Sequence, residues 1–368
     1  MQRQLRARSF QFPPSRGILI AKKTGAKRPL VISPIPSRIV QRALLDIIQG
    51  IPQVRATLQA GNNFGGIEGL GVPHAVREAY SASRGSGYFI RTDIKNFFVR
   101  IPRDRAIEKI ISITGDEEFN DLLKRATDTE LANIAHLYRH RELFPLQDVG
   151  VAQGSCLSPL LANLLLSDFD RQMNGRGVRC IRYIDDFILF APNRSKAFSA
   201  LKSAKSMLAD MGLDCYNPAQ DPHKAESGDC ADGFSFLGCE IHPTRVRPAR
   251  KSQLELRAQL RSLFVYAIRR AKSRTLPPQS ADGYLETLSQ ASRIIRGWGN
   301  TYFFCTDDSL FASLDRDISQ LVLQFDQRYR AAFRATHGDK LREMLGVFRL
   351  AECKRDDEFR TVVKNSLV

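Results

Sequence analysis

Two groups of acidic residues stand inside otherwise apolar, strand-like runs. Asp93 closes the run Tyr88-Phe89-Ile90-Arg91-Thr92-Asp93, and Asp185-Asp186 falls between Ile181-Arg182-Tyr183 and Phe187-Ile188-Leu189-Phe190. A buried carboxylate is costly unless it is paired or metal-bound. Three that converge repel one another, and divalent cations are the usual remedy. Oxygen ligands of this kind suit Mg²⁺, which also bridges substrate phosphates. The chemistry indicated is two-metal phosphoryl transfer, one ion activating an attacking hydroxyl and the other stabilising a leaving pyrophosphate. Taken alone, however, Asp185-Asp186 reads more readily as a solvated hairpin turn, where Asp is common.

The elements around these residues set where they can stand. Residues 88–94 read as a buried or half-buried strand, and 181–190 as two short strands about a tight turn. Near the start, Lys22 to Lys27 form the turn of a strand pair whose return strand holds Leu30-Val31-Ile32. A helix follows, with Ile39, Leu44 and Ile47-Ile48 as its apolar face and Gly50-Ile51-Pro52 as its stop. The glycine-rich stretch from Gly61 to Gly71 is too irregular for a regular element. Residues 103–140 read as helical and polar-amphipathic. Ser158-Pro159 fits a helix start, Ser as N-cap, with Leu161, Leu164, Leu165 and Phe169 as the buried stripe. Lys196 to Met211 is a further helix closed by Gly212, and beyond residue 245 the pattern is helical, broken at Pro277-Pro278.

Composition narrows the class of partner. Of 368 residues, 55 are Lys or Arg and 39 Asp or Glu, a formal charge of +16. Such an excess points to a polyanion, most often nucleic acid. The charge is concentrated: residues 1–42 hold ten Lys/Arg and no acid, and residues 245–274 hold ten and one acid, Glu255. A 43% hydrophobic content excludes a largely disordered chain. No run approaches the ~18 apolar residues of a membrane helix, and no signal peptide is evident. The seven cysteines include no C-x-x-C pair, which argues against a disulfide framework or zinc module and for a cytoplasmic setting. His136 and His140, at i and i+4, read as surface residues without a third ligand.

Several motifs carry a resemblance. Arg182-Tyr183-Ile184-Asp185-Asp186-Phe187 resembles the Y-x-D-D signature of reverse transcriptases, and Asp93-Ile94-Lys95-Asn96-Phe97-Phe98 their first palm motif. Between them, Gln153-Gly154-Ser155-Cys156-Leu157-Ser158-Pro159 with Asn163 is similar to the family's Q-G-x-x-x-S-P-x-x-x-N motif, and Phe236-Leu237-Gly238 to the primer grip. Arg28-Pro29-Leu30-Val31-Ile32, Arg38-Ile39-Val40-Gln41-Arg42-Ala43-Leu44 and Arg296-Gly297-Trp298-Gly299-Asn300 resemble segments of group II intron-type enzymes. Four motifs in the right order are far more specific than any one.

The resemblance implies an α+β right-hand polymerase: N-terminal arm and fingers over 1–87, a ferredoxin-like palm over 88–242 with a helical fingers insertion at about 103–148, and a helical thumb with C-terminal extension over 243–368. It implies Asp93, Asp185 and Asp186 as catalytic residues holding two Mg²⁺, with the Ile94 carbonyl as an added ligand. Phe98 falls at the steric-gate position, where an aromatic ring crowds a ribose 2′-OH. Gln153 and Gly154 would line the nucleotide, and Arg28, Lys22 and Arg38 would grip its triphosphate. Lys224 lies where the family carries a lysine that protonates pyrophosphate. Basic residues Arg250, Lys251, Arg257 and Arg261 would track a nucleic-acid backbone without reading sequence.

The expected function is RNA-directed DNA polymerisation, with an RNA template, dNTPs and a DNA product, and no membrane partner. Recognisable H-N-H nuclease and ribonuclease H domains and the N-A-x-x-H and V-T-G segments of retron enzymes are not seen. The set fits compact group II-like bacterial enzymes of the defence-associated type, which copy a companion non-coding RNA in antiphage defence. The alternatives are an RNA-binding maturase and a template-independent polymerase.

Overall fold

Runs of Phe, Ile, Leu and Val mark the strands Tyr88–Asp93 and Asp186–Ala191, and other strands are more polar. The computed structural model describes residues 1–21, 25, 27–145, 149–175, 177–272 and 283–337. The chain divides into two units, Met1–Val246 and Arg247–Val368.

In the first unit, β1 (Arg16–Ala21) and β2 (Lys27–Ile32) form an antiparallel hairpin in register from Arg16↔Ile32 to Ala21↔Lys27. The central sheet comprises β3 (Tyr88–Asp93), β4 (Arg179–Tyr183), β5 (Asp186–Ala191) and β6 (Glu226–Asp229). Its spatial order is β4-β5-β3-β6, and the paired strands run antiparallel. Helices intervene between β3 and β4 and between β5 and β6, so the sheet has the β-α-β-β-α-β succession of a ferredoxin-like fold. A small sheet follows, with β7 (Phe234–Phe236), β8 (Cys239–His242) and β9 (Arg245–Pro248) in that order. The first unit ends and the second begins within β9.

Residues 187–191 of β5 are all buried, because this strand has neighbours on both sides and cover on both faces. Phe187 and Leu189 join the main core with Leu157, Leu161, Leu164 and Phe169 of one helical pair and Leu201 and Leu208 of the helix Arg194–Ala209. On the other face Phe190 and Phe89 pack against Phe234, with ring centroids 5.3 and 5.1 Å away. Each such side chain contributes about 2 kcal/mol by leaving water, so both faces of the strand carrying Asp186 are anchored.

Three expectations need correction. The helix Ile35–Gly50 buries Val40, Leu44, Leu45 and Ile48, while Ile39 and Ile47 are 49% and 56% exposed. Gln41 turns that face inward, its Nε2 donating 2.8 Å to the Ala126 carbonyl. Ser158 is not an N-cap: it lies inside the helix Leu157–Leu165 and its Oγ donates 2.7 Å to the Ala152 carbonyl, closing the preceding loop. Residues 103–140 are not one helical stretch but helices Arg103–Thr114 and Glu117–Thr127, then a 3₁₀ segment from Ile134. Gly115, left-handed at φ 62°, and the Asp116 cap, accepting from Glu118 and Phe119, separate the first two.

The second unit is helical, with Arg250–Ala271, Tyr284–Tyr302 and Asp308–His337. Leu256, Leu260, Phe264 and Ala267 of the first meet Phe325 and Tyr329 of the last, Phe264 stacking on Phe325 at 4.6 Å. Spacings of four, four and three residues make this one stripe. Among the described residues no helix is long and apolar enough to cross a membrane.

Candidate active site

Antiparallel pairing of β3 with β5 sets Asp93 directly opposite Asp186. Asp185 occupies the two-residue turn joining β4 to β5, and its carbonyl accepts from the Ile94 amide at 3.0 Å. The three carboxylates therefore share one end of the sheet. One Asp93 oxygen, Oδ1, is buried and without a hydrogen-bond partner.

The electrostatics record the crowding. Burial, then repulsion from Asp185 and Asp93, pushes Asp186 up to about 7. Burial likewise raises Asp93, opposed by Lys224 and Arg91 and reinforced by Asp185. Lys224 is exposed on the loop before β6, and its ammonium lies 5.5 Å from the Tyr216 ring. Lys95 approaches that ring at 5.1 Å and is paired with Asp214 at 2.8 Å.

Among the described residues no three or more His, Cys, Asp or Glu side chains form a ready-made metal cage. Mg²⁺ does not need one, because it keeps several waters and binds one or two carboxylates together with substrate phosphates. An orphaned buried oxygen and mutually repelling carboxyls are what such an ion relieves. The donor set fits a hard cation shared with a phosphate-bearing substrate.

Other sequence-expected residues gather nearby or stand apart. Val31 of β2 donates its amide 2.8 Å to the Gln153 carbonyl, and Val151 donates 2.7 Å to that of Phe98. The hairpin, the Gln153-Gly154 segment and Phe98 are thus stitched together through backbone. Gly154 has φ 119°, and a Cβ there would lie 2.6 Å from the Val31 carbonyl, so only glycine fits. Phe98 is half-buried, its ring 5.6 Å from that of Phe97. Arg28 is exposed on β2 opposite Ile20, and Arg38 donates 2.6 Å to the Ser33 carbonyl. Lys22 lies outside the described residues. Leu237 and Gly238, both left-handed at φ 48° and 79°, form the tight turn after Phe236 that joins β7 to β8.

In the second unit, Arg250, Lys251 and Arg261 are exposed on the helix Arg250–Ala271. Arg257 differs: it is paired with Asp317 through Nε at 3.0 Å and Nη2 at 2.5 Å.

Sequence reasoning missed Arg91 and Tyr216. Arg91 precedes Asp93 by two residues, so strand periodicity puts both on one face and could have revealed it. Tyr216, whose amide donates 3.3 Å to the Asp93 carbonyl, arrives through a distant loop with no local signal.

Comparison with known proteins completes the description. The family described as reverse transcriptase (RNA-dependent DNA polymerase) matches residues 20–241, more than half of the chain. The chain is 32% identical over 166 residues to the uncharacterized 91 kDa protein in the cob intron of Schizosaccharomyces pombe, covering 45% of this chain and 19% of that protein. It is 27% identical over 277 residues to Protein YkfC of Escherichia coli, covering 65% and 69%. The chain thus spans about a fifth of the length of the fungal intron protein. Among solved structures, an apo telomerase from Candida tropicalis truncated from its C-terminal domain superposes with a TM-score of 0.45 at 14% identity, covering 65% of this chain and 55% of that one.

Proposed function

This chain belongs to the reverse transcriptase (RNA-dependent DNA polymerase) family, and on that premise we propose that it extends a 3′-hydroxyl with dNTPs on an RNA template through the site at Asp93, Asp185 and Asp186. The observation that carries the reading is the register of β3 against β5, which sets Asp93 opposite Asp186 beside the Asp185 turn. Bound there, two Mg²⁺ ions would activate the attacking hydroxyl and steady the leaving pyrophosphate. Asp93, Asp185 and Asp186 would hold them, with the Ile94 carbonyl as a further ligand.

The chain's own residues supply the remainder. Lys224, whose charge already reaches Asp93 and Asp186, would meet the negative charge of the triphosphate. Gln153, Gly154, Arg28, Arg38 and Lys22 would seat the nucleotide, the Phe98 ring would exclude a ribose 2′-OH, and Phe236-Leu237-Gly238 would hold the primer end. Arg250, Lys251 and Arg261 would track the nucleic-acid backbone.

Primer extension on an RNA template tests this. Incorporation of dNTPs should require Mg²⁺, stop on chelation and resume on readdition. Phe98→Ala should raise use of rNTPs relative to dNTPs by about 10–100-fold, the size of discrimination one side chain's bulk supplies. Equal use of both by the parent chain would exclude the Phe98 gate.

The reading extends to a companion non-coding RNA as template and to antiphage defence, supported by the motif resemblance to compact bacterial enzymes. Unchanged phage sensitivity after deletion of the gene and its flanking RNA would refute that extension. A second reading, assistance to intron RNA, is favoured by the fungal relative's printed name, which places it in the cob intron. It predicts full cellular function in catalytic-aspartate variants.

A further inference from the structure

The turn that carries the acidic pair is held in a conformation its sequence does not favour. Ile184 is left-handed, with φ 61°. For a β-branched residue this backbone is a genuine outlier, and hairpins of this length usually place glycine there. Such strain persists only where the surroundings over-determine it.

The surroundings do so from two sides. Arg182 in β4 is 0% exposed, and its Nη1 donates 2.8 Å to the Ile184 carbonyl. The same guanidinium grips Asp170 with Nε at 2.7 Å and Nη2 at 2.6 Å, and Nη1 also donates 3.1 Å to Asn163 Oδ1. Asn163 passes the constraint on, its Nδ2 donating 2.8 Å to the Gly65 carbonyl. Gly65 presses on the turn from its other side: a Cβ there would lie 2.6 Å from the Ile184 nitrogen. The loop is laced to β4 as well, because Phe64 donates to the Arg182 carbonyl and Arg182 to that of Asn62, both at 2.9 Å. The glycine-rich stretch that looked merely irregular is one jaw of a clamp.

A buried ion pair is a poor device for stability alone, since apolar residues of similar volume often do as well. What apolar residues cannot do is bind a carboxylate with one edge and reach a backbone carbonyl with the other. The rigid fork of arginine does both. We propose that Arg182, Asp170, Asn163 and Gly65 are positioning residues for the acidic cluster, locking Ile184 in its left-handed conformation and so setting where Asp185 and Asp186 stand. This rests on the polymerase reading of the site.

The test uses the full chain in four forms: parent, the double variant Arg182→Met/Asp170→Leu, Gly65→Ala, and the double variant with Ile184→Gly added. Thermal unfolding reports the fold, and electron paramagnetic resonance of Mn²⁺ without nucleotide reports the metal site. Incorporation of dTTP on poly(rA) primed with oligo(dT) separates kcat from KM. The proposal expects the double variant and Gly65→Ala to fold, yet to bind Mn²⁺ about tenfold more weakly and lose kcat by about a hundredfold, as a displacement near 1 Å can cause. KM for dTTP should move by less than about threefold, because substrate binding is not what is lost. Adding Ile184→Gly should return a measurable part of both losses, since glycine takes positive φ without strain. Parental Mn²⁺ affinity and kcat in both folded variants would overturn the proposal. Should the double variant not fold, Gly65→Ala decides by the same two numbers. A parent that binds Mn²⁺ but makes no DNA would refute the polymerase reading, while the Mn²⁺ affinities still judge the clamp.

Discussion

At the scale of single residues, Asp186 is the most informative group. Its carboxyl is pushed up to about 7 by burial and by Asp185 and Asp93, against an ordinary value of 3.8. A folded value above the unfolded one favours the protonated form. The associated stability is therefore full below about pH 4 and is lost as pH rises toward 7. Asp93 is raised in the same direction, chiefly by burial, and adds to the loss. A divalent cation held by these groups would favour their ionised form, so its effect would run the other way. The rise in unfolding temperature on adding Mg²⁺ should be small at pH 5.5 and larger at pH 8, followed by thermal unfolding with and without chelator. An equal rise at both pH values would mean that these carboxyls do not take the ion.

At the scale of elements, the hairpin β1–β2 meets the Gln153-Gly154 segment along Val31. Gly154→Ala would drive a Cβ to within 2.6 Å of the Val31 carbonyl at φ 119°. It should cost about 1–3 kcal/mol, the range for a residue forced into a glycine-only conformation, and urea unfolding measures it. The same scale shows what could be read from residues alone. β3, β4 and β5 were legible because acidic residues bounding apolar runs mark where the strands end and the turn begins. The inner face of the helix Ile35–Gly50 was not, because a buried Gln41 with a carbonyl partner looks polar in any hydrophobicity pattern. Ser158 misled for the opposite reason: it has an N-cap's chemistry, but its hydroxyl serves the loop behind it. The clamp on Ile184 joins residues near positions 65, 163, 170 and 182, and no local spacing announces a contact assembled that late. An arginine inside an apolar strand was its one visible trace.

At the scale of the whole molecule, the +16 charge indicated a polyanion and its distribution says more. Basic residues crowd the first forty-odd positions and the helix Arg250–Ala271, while the end of the central sheet gathers negative charge. Pairing of Arg257 with Asp317 shows that not every cation of that helix is available to nucleic acid. If about six side chains still meet phosphates, RNA affinity should fall roughly a thousandfold between about 50 and 200 mM salt, measured by fluorescence anisotropy. A nearly flat salt response would remove the basic regions from nucleic-acid binding. The most direct measurement compares DNA synthesis on an RNA template by the full parent chain and by Asp185→Asn, with circular dichroism confirming that both are folded. If Asp185 holds a catalytic metal as proposed, its replacement removes several kcal/mol of transition-state stabilisation, so the variant should be slower by about a thousandfold or more. A folded Asp185→Asn chain that polymerises at the parental rate would contradict the assignment of the acidic cluster as the catalytic site.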